Sequence, residues 1–278
     1  MKHQGSNPLI SVLMASRDGE KYISAAIESI LQQSYENFEF IIIDDYSSDK
    51  TWGIIKSYSR KDERIIPIRN KKPLGVGGSA NKAIKIAKGK YLLRMDSDDW
   101  SFPYRIEKQV QFMENNPEVV CSGGYLVNCD KNLKEKGVRK YPLSHKELLK
   151  TILRWNPVPH PASIWRKSAV DKTSGYPTTL DTSSDYAFTL AVSKHGKIAN
   201  IGIPLIKYRI HGASLSNAKM RKQQLATIYL SYKGEIEYGY ESRTKDHIWR
   251  IIQVVTLYTI PTKIKRFFFN LLIAKTII

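Results

Sequence analysis

Residues 91–100 read YLLRMDSDDW, an apolar run that ends in three carboxylates within four positions. An uninterrupted apolar run of this length is typical of a strand buried on both faces of a sheet. Carboxylates held so close together repel one another, so they need a compensating cation or their pKa values rise. Their oxygens suit Mg²⁺ or Mn²⁺, and Mg²⁺ is typically bound by one or two carboxylates together with substrate phosphates. The stretch therefore predicts a buried strand that ends either in a divalent-metal site for a phosphorylated substrate or in a solvated acidic turn.

Apolar runs alternate with segments of helical periodicity on both sides of this strand. The pattern predicts further strands at residues 9–15, 38–43, 64–68, 119–127 and within 198–210. It predicts helices at residues 20–33, 51–60, 79–87, 103–115, 145–155 and 183–194, and a helical segment from residue 216 onward. Residues 75–78, GVGG, fit neither a dinucleotide-binding nor a Walker motif, and we interpret them as a flexible turn into the next helix. The alternation predicts an α/β fold with a Rossmann-like, mostly parallel central sheet and helices on both faces.

The predicted strands end in polar residues. These ends are Ser16-Arg17-Asp18, Asp44-Asp45, Arg69-Asn70 and residues 96–99. In open α/β sheets, ligands bind beyond the carboxyl ends of the strands. Core packing alone does not account for four polar ends on one edge, so the pattern favours a functional crevice over a solvated acidic turn.

The chain of 278 residues carries 44 Lys and Arg against 26 Asp and Glu, a formal net charge of +18. This balance indicates a polyanionic partner: a phosphorylated substrate, an anionic membrane surface or a nucleic acid. No nucleic-acid-binding motif accompanies the charge, so we expect no nucleic acid partner. Cys121 and Cys129 are too few for a disulfide framework and favour a reducing, cytoplasmic location. No apolar stretch approaches the roughly 18 residues that predict a membrane span.

Five segments resemble sequence blocks of the family 2 glycosyltransferases, which have the GT-A fold. They are residues 11–51 (SVLMASRDGEKYISAAIESILQQSYENFEFIIIDDYSSDKT), 70–99 (NKKPLGVGGSANKAIKIAKGKYLLRMDSDD), 160–170 (HPASIWRKSAV), 183–190 (SSDYAFTL) and 208–216 (YRIHGASLS). Bacterial and archaeal enzymes that build surface polysaccharides are the most similar members. The resemblance implies a GT-A catalytic domain over residues 1–215 and a helical C-terminal extension over residues 216–278.

The resemblance also implies an activity. It is that of an inverting, metal-dependent enzyme, which moves a sugar from a nucleotide diphosphate sugar, with UDP as the default, to a hydroxyl of a glycan or lipid-linked glycan. Ser16 and Asp18, with Asp44 or Asp45, would contact the base and ribose. In the D-x-D pair, Asp98 would bind Mn²⁺ or Mg²⁺ directly, and Asp96 would support the ribose or a metal-bound water. The other donor contacts expected on this edge are Arg17, Arg69, Asn70 and Arg94.

The later motifs carry roles in the same family. Asp185 takes the position of the catalytic base, although the residue before it is Ser184 and not the usual Glu. Without the resemblance, Asp185 would be interpreted as a helix cap, which is a common role of Asp. His211 would bind the metal or contact the diphosphate, with a purely structural role as the alternative. His160 and Trp100 would lie on the acceptor side.

Residues 262–278 interleave four basic side chains with three Phe and several Leu and Ile residues. A helix of this composition lies in a membrane interface or packs on the catalytic domain with its lysines in water. In the first case the protein would be peripheral at the inner face of the cell membrane. The alternative to a transferase is a basic nucleic-acid- or membrane-binding scaffold whose GT-A domain is catalytically silent.

Overall fold

The first four apolar runs form parallel strands. The computed structural model of the chain describes residues 7–180, 182–210, 220–261 and 264–265. Its first four strands, neighbours in the order β3-β2-β1-β4, are β1 (Ile10–Ser16), β2 (Phe38–Asp44), β3 (Ile65–Arg69) and β4 (Tyr91–Asp96). The register pairs Ser16 with Asp44, Asp44 with Arg69 and Ala15 with Asp96. The carboxyl ends of all four strands therefore lie in one row.

Helices cover both faces of this parallel half. They are α1 (Ile23–Leu31), α2 (Thr51–Ser59), α3 (Gly75–Ile86) and α4 (Arg105–Asn115). α1, α2 and α4 contribute to the hydrophobic core on one face, and α3 contributes to the core on the other. Successive strand residues alternate between these cores, as Val12 and Leu13 do. Because both faces are buried, the strands are apolar throughout, which explains the uninterrupted apolar runs in the sequence.

The second half of the sheet is mixed. Its strands are β5 (Trp100–Ser101), β6 (Val119–Cys129), β7 (Glu135–Arg139), β8 (Ile164–Arg166) and β9 (Lys197–Arg209). β6 and β9 are parallel, whereas β8 is antiparallel to both β4 and β6 and joins the two halves. β5 and β7 add short antiparallel pairs with β9 and β6. Most paired residues are parallel, so the predicted fold class is confirmed. The sequence pattern does not predict β5, β7 or β8. β5 and β8 have only two and three residues, and β7 (EKGVR) has no apolar run.

The remaining helices of the described chain follow β7. They are α5 (His145–Leu149), a 3₁₀ turn (His160–Ala162), α6 (Lys167–Val170), α7 (Ser184–Ser193), α8 (Met220–Ile236) and α9 (Thr244–Thr259). α8 and α9 form an antiparallel hairpin, in which Gln224 lies against Thr256 and Ser231 lies against Arg250. Within the described ranges, no helix combines the length and the apolar character that a membrane crossing needs. The predicted domain boundary after residue 215 stays a prediction, because residues 211–219 lie outside the described ranges.

Two predicted boundaries are wrong. α3 begins at Gly75, so the GVGG segment is the first turn of the helix and not a turn before it. The Asp45 carboxylate accepts hydrogen bonds from the backbone N–H groups of Leu74 (2.8 Å) and Gly75 (2.9 Å), which caps the helix from the end of β2. The helix predicted at 145–155 ends at Leu149, and turns follow it. Both differences depend on long-range contacts that a local pattern does not contain.

Gly53 and Gly89 provide a matched pair of substitutions. A Cβ on Gly53, which is exposed in α2, would contact nothing within 4 Å, whereas one on Gly89 would lie 2.4 Å from the backbone nitrogen of Ser11. We expect Gly53→Ala to raise the free energy of unfolding by about 0.5–1 kcal/mol, because alanine restricts the unfolded chain. We expect Gly89→Ala to lower it by about 2 kcal/mol or more through overpacking. Urea denaturation measures both, and shifts of the same sign would contradict this packing.

Candidate active site

The register of the parallel half brings the predicted strand ends together. Ser16, Asp44 and Arg69 are successive register neighbours across β1, β2 and β3. Asp96 lies at the end of β4, on the other side of β1. The crevice expected beyond the strand ends therefore has its polar residues in one row, and the role of each remains a prediction.

The loops that follow β1 and β2 are joined by Asp18. One oxygen of its carboxylate accepts hydrogen bonds from the Ser48 backbone N–H (2.8 Å) and from the Ser48 hydroxyl (3.0 Å). The Asp18 backbone N–H donates to Ser47 Oγ (3.0 Å). The Asp18 side chain remains 46% exposed, so the carboxylate holds the two loops together and still faces the crevice.

Left-handed backbone conformations concentrate around this edge. Among the described non-glycine residues, positive φ angles occur at Asp18 (51°), Tyr46 (63°), Leu133 (62°) and Ser183 (60°). Asp18 and Tyr46 follow β1 and β2, and Ser183 precedes α7. Such conformations persist only where surrounding contacts enforce them, and they cluster at functional sites.

Asp44 is fully buried beside an open groove. Arg69 Nε lies 3.0 Å from Asp44 Oδ2, but the contact lacks hydrogen-bond geometry, and both Asp44 oxygens are without a hydrogen bond. The hydroxyl of Ser16 is also buried and unpaired. The groove has a volume of about 580 Å³, and its lining includes Tyr46, Ser47 and Arg69. Buried polar atoms normally find partners, so these unpaired acceptors indicate a ligand with hydrogen-bond donors.

The side chains of Asp45 and Asn70 form their hydrogen bonds within the protein. Asp45 caps α3, and it also accepts a hydrogen bond from Asn70 Nδ2 (2.7 Å). Asn70 donates to Ser79 Oγ (3.0 Å) and accepts from Lys82 Nζ (2.8 Å). Both residues are nearly fully buried. Of the two carboxylates at the end of β2, Asp44 is the one that retains unpaired acceptors.

Arg94 lies beneath the acidic loop. Its guanidinium forms an ion pair with Asp96, with Nη2 2.6 Å and Nε 2.8 Å from Oδ1. Burial is the largest single influence and opposes ionisation of Asp96, but the charge and hydrogen bond of Arg94, together with His160 and Arg105, hold the pKa of Asp96 below its usual range. The Arg94 side chain is only 5% exposed. It therefore supports the D-x-D loop from inside the domain and does not present a free cation to a ligand.

The rest of the acidic loop is fixed by β9. Arg209 donates its backbone N–H to Asp99 Oδ1 (2.9 Å) and its Nε–H to the backbone carbonyl of Asp98 (2.6 Å). The second oxygen of Asp99 is buried and unpaired. Burial, together with the charges of Asp98 and Asp96, raises the pKa of Asp99 well above its usual range. The loop is thus preformed and carries surplus acceptor capacity.

The acidic loop has the donor chemistry of a magnesium or manganese site. Within the ranges that the structure describes, no three His, Cys, Asp or Glu residues are close enough to hold a metal alone. A hard cation bound by one or two carboxylates and completed by a diphosphate needs no such group. Asp98, which is half-buried at the crevice, and the unpaired oxygen of Asp99 are oxygen ligands of this type. The residues present therefore fit a divalent cation.

Asp185 lies in the first turn of α7, near the acidic loop. The N-cap of this helix is Ser183, and no side chain caps it, so Asp185 is not the helix cap that its residue type alone would suggest. Asn156 Nδ2 approaches Asp185 Oδ2 at 3.5 Å, a long hydrogen bond. His160 connects the two carboxylate groups: burial and the charge of Arg94 lower its pKa, while the charges of Asp185 and Asp96 raise it. The net result is a lowered pKa of His160, and both Asp185 and Asp96 lie close enough to His160 to influence it.

The remaining residues of the predicted site are Arg17, Trp100 and His211. Arg17 is exposed and lies 3.7 Å from Asp18, where it remains available to a ligand. Trp100 lies on β5, and its ring contacts the Lys207 amine (5.2 Å) and the edge of Phe102 (5.5 Å). His211 lies outside the described residues, two positions after Arg209.

Sequence patterns do not identify several residues that support the site. Arg105 is fully buried and donates to the backbone carbonyls of Arg94 (2.7 Å) and Pro161 (3.1 Å). Burial lowers the pKa of Arg105 to about 9. Tyr176 donates to or accepts from His160 Nε2 at 2.8 Å. The one sequence signal for Arg105 is its place among the apolar positions of α4, where a cation is unexpected.

The fold and the residues on its edge define a glycosyltransferase with the GT-A fold. The solved structure of TarS from S. aureus has a TM-score of 0.62 at 21% identity over 79% of this chain, which spans 39% of that longer chain. The mannosyltransferase PcManGT from Pyrobaculum calidifontis, solved with GDP-Man and Mn2+, has a TM-score of 0.61 at 12% identity, covering 91% of this chain and 70% of that one. At these identities the likeness concerns the fold.

Residues 11–174 match the family model described as Glycosyl transferase family 2. Because the match covers more than half of the chain, the chain belongs to this family. An uncharacterized glycosyltransferase of Methanocaldococcus jannaschii, MJ1057, is 39% identical over 80% of this chain and 78% of its own length. WfaP of Escherichia coli, named as a UDP-Glc:alpha-D-GlcNAc-diphosphoundecaprenol beta-1,3-glucosyltransferase, is 34% identical over 77% of this chain and 82% of its own length. The predicted family is confirmed.

Substitution of Arg105 tests whether this side chain stabilises the packing of β4 against the turn at His160. We expect Arg105→Met to lower the free energy of unfolding by about 2–4 kcal/mol, because it leaves two buried carbonyls unpaired. Lys108→Met is the matched control, since Lys108 is exposed on the same helix and its loss should change stability by less than about 0.5 kcal/mol. Urea denaturation compares the two variants. Equal stabilities would show that Arg105 does not hold β4 to the His160 turn.

Proposed function

We propose that this glycosyltransferase is inverting and metal-dependent, and that it moves a sugar from a UDP-sugar to a hydroxyl of a lipid-linked glycan during surface polysaccharide assembly. One observation carries the proposal. His160 lies within electrostatic reach of both Asp96 and Asp185, so a candidate base and the D-x-D loop lie near the same side chain. We propose that they share one cleft, as transfer from a diphosphate donor requires.

The donor nucleotide binds over the ends of β1 and β2. The unpaired Asp44 oxygens and the Ser16 hydroxyl accept hydrogen bonds from the base and ribose. Asp18, which is half exposed, is hydrogen-bonded to Ser47 and Ser48 in the lining of the groove. Arg69 and Arg17 contribute positive charge beside the groove, and the planar guanidinium is suited to phosphate oxygens. UDP is the nucleotide named for the E. coli relative, which supports uracil as the base.

Asp98 and the acidic loop hold the diphosphate end of the donor. A bound Mn²⁺ or Mg²⁺ supplies the positive charge that offsets the leaving diphosphate. Asp98 contributes a carboxylate ligand, and Asp96, already paired with Arg94, is available for a water bridge. The solved P. calidifontis neighbour contains Mn2+, which supports this ion type. His211 is the proposed additional ligand from the sequence after β9.

Asp185 acts as the general base. The acceptor oxygen forms a bond to the anomeric carbon, the bond from that carbon to the diphosphate oxygen breaks, and the acceptor proton passes to Asp185. Asp185 takes this proton from its place in the first turn of α7. Asn156 donates a hydrogen bond to one oxygen of Asp185. This contact orients the base in a chain that has Ser184, and not the usual Glu, before Asp185. Attack from the side opposite the leaving group inverts the anomeric configuration.

The acceptor is proposed from the relatives and from charge. The E. coli relative is named for a sugar linked to diphosphoundecaprenol, a lipid. The net charge of +18 favours binding of the enzyme to an anionic membrane surface. We therefore place the enzyme in the cytoplasm, at the inner face of the membrane. His160 and Trp100 flank the acceptor.

A thermal-shift panel tests the donor site. We expect UDP with Mn²⁺ or Mg²⁺ to raise the melting temperature, because a ligand that binds only the native state stabilises it by mass action. GDP, dTDP and UDP with EDTA should give smaller shifts. The UDP shift should disappear in Asp98→Ala and persist in Asp171→Ala, since Asp171 is an exposed residue paired with Lys167. If no nucleotide shifts the folded wild type, the scaffold with a silent domain becomes the better explanation.

Asp185→Asn tests the base. We expect transfer to fall by about 10²-fold or more, because amide nitrogen cannot take the acceptor proton. The UDP thermal shift should remain, since Asp185 does not hold the nucleotide. The measurement is sugar transfer from UDP-glucose to a short-chain, pyrophosphate-linked N-acetylglucosamine, with Asp171→Asn as the control. Undiminished transfer in Asp185→Asn would rule out this residue as the base.

A further inference from the structure

α9 buries two charged side chains while most of its apolar side chains are exposed. Asp246 and Arg250 are 3% and 2% exposed. Arg154 Nε lies 2.9 Å from Asp246 Oδ1, and Arg250 forms an ion pair with Glu235 at 2.6 Å and donates to Ser231 Oγ at 2.8 Å. These contacts fasten the helix to the catalytic domain and to α8. An amphipathic helix normally buries its apolar stripe, so the reversal requires an explanation.

The opposite side of α9 is an exposed apolar stripe. It consists of Ile248, Ile251, Ile252, Val255 and Tyr258, each at least 51% exposed. Spacings of three and four residues place them on one face of the helix. Tyr258 is 75% exposed. Nothing in the described chain covers this stripe.

α8 presents a second stripe of the same kind. Leu225, Tyr229, Tyr232 and Ile236 follow one another at intervals of four, three and four residues and are 47–79% exposed. The stripes of α8 and α9 together are named the hairpin outer face. Exposed apolar stripes on both helices of a hairpin mark it as an interaction site. Tyrosine is typical of membrane interfaces, where its ring lies in an apolar layer and its hydroxyl reaches water.

Two cations stand at the open end of this face. A cavity of about 190 Å³ lies there, lined by Arg221, Tyr258 and Lys265 among others. Burial, together with the nearby charge of Arg221, lowers the pKa of Lys265. Two like charges beside an apolar face are complementary to the phosphate of an anionic lipid head group. A second copy of the chain is the alternative occupant of the hairpin outer face. Packing of two sets of apolar stripes against each other supplies no negative charge for Arg221 and Lys265.

We propose that the hairpin outer face docks on an anionic lipid bilayer, with Arg221 and Lys265 at head-group phosphates and the two apolar stripes in the interfacial layer. This inference rests on the proposed transfer to a lipid-linked acceptor, because it supplies the surface on which that acceptor resides.

The hairpin is coupled to the acceptor side of the cleft. Asp246 at the start of α9 pairs with Arg154, whose guanidinium lies 5.1 Å from the ring centre of Trp155. Trp155 is 45% exposed, and the next residue, Asn156, contacts Asp185. Docking through the hairpin therefore fixes the position of the loop beside the base relative to the bilayer.

The test is sedimentation of the full chain with phospholipid vesicles. We expect binding to vesicles of equal parts phosphatidylglycerol and phosphatidylcholine, weaker binding to pure phosphatidylcholine, and weakening by salt. Ile251→Gln/Val255→Gln should reduce the partition coefficient by about tenfold or more. Ile86→Gln, an exposed apolar residue of α3, is the control and should bind like wild type. Arg221→Gln/Lys265→Gln should lower binding to anionic vesicles and leave binding to phosphatidylcholine unchanged.

Each outcome supports or overturns the docking surface. Ile251→Gln/Val255→Gln keeps the net charge and the sequence after residue 265, so unchanged vesicle binding by this variant would assign binding elsewhere and overturn the proposal. A wild type that forms a dimer through this face and ignores vesicles would also overturn it. Melting temperatures equal to wild type establish that the variants are folded. Transfer to the short-chain, water-soluble acceptor should be unchanged in the variants. If wild type does not transfer sugar to this acceptor, the proposed function is refuted, whatever the vesicle experiment shows.

Discussion

The active edge depends on the parallel pairing of β1 with β2 and β4. This pairing makes three strands end at nearly one level, so Ser16, Asp44 and Asp96 lie along the same edge of the sheet. Side chains alternate between the two faces of a strand, and a slip of one residue would exchange the faces. The buried residues Val12 and Leu13, which belong to different cores, resist such a slip from both sides. The hydrophobic register thus places the polar site.

Buried positive charges inside the domain stabilise the acidic loop. Arg94 and Arg209 contact the loop directly, and Arg105 holds the backbone of β4 beneath it. Buried guanidinium groups are stable only when their donors are used, and here they bond to backbone carbonyls and carboxylates. The loop geometry is therefore set before any ligand arrives. A site arranged in advance loses less freedom when it binds its ligand.

The sequence predicts the framework well because buried parallel strands have a strong local signature. It also predicts the row of polar strand ends, since parallel strands place their ends on one edge. It cannot distinguish Asp44 from Asp45, because only the capping of α3 shows that Asp45 is occupied. It misses the contact between Asn156 and Asp185, which joins residues 29 positions apart. For α8 and α9 the sequence predicts only a helical segment from residue 216 onward, because the burial of Asp246 and Arg250 depends on ion pairs with distant residues.

The Arg154–Asp246 ion pair has a consequence for how this chain can change over evolution. Both side chains are largely buried, at 19% and 4% exposed, so neither charge is easily left alone. The C-terminal hairpin is therefore not an exchangeable module that could be replaced without regard to the catalytic domain. A different hairpin would have to bring its own carboxylate to Arg154, or the loop next to Asp185 would lose its anchor. Diversification of the surface that faces the acceptor is thus constrained by a single buried charge.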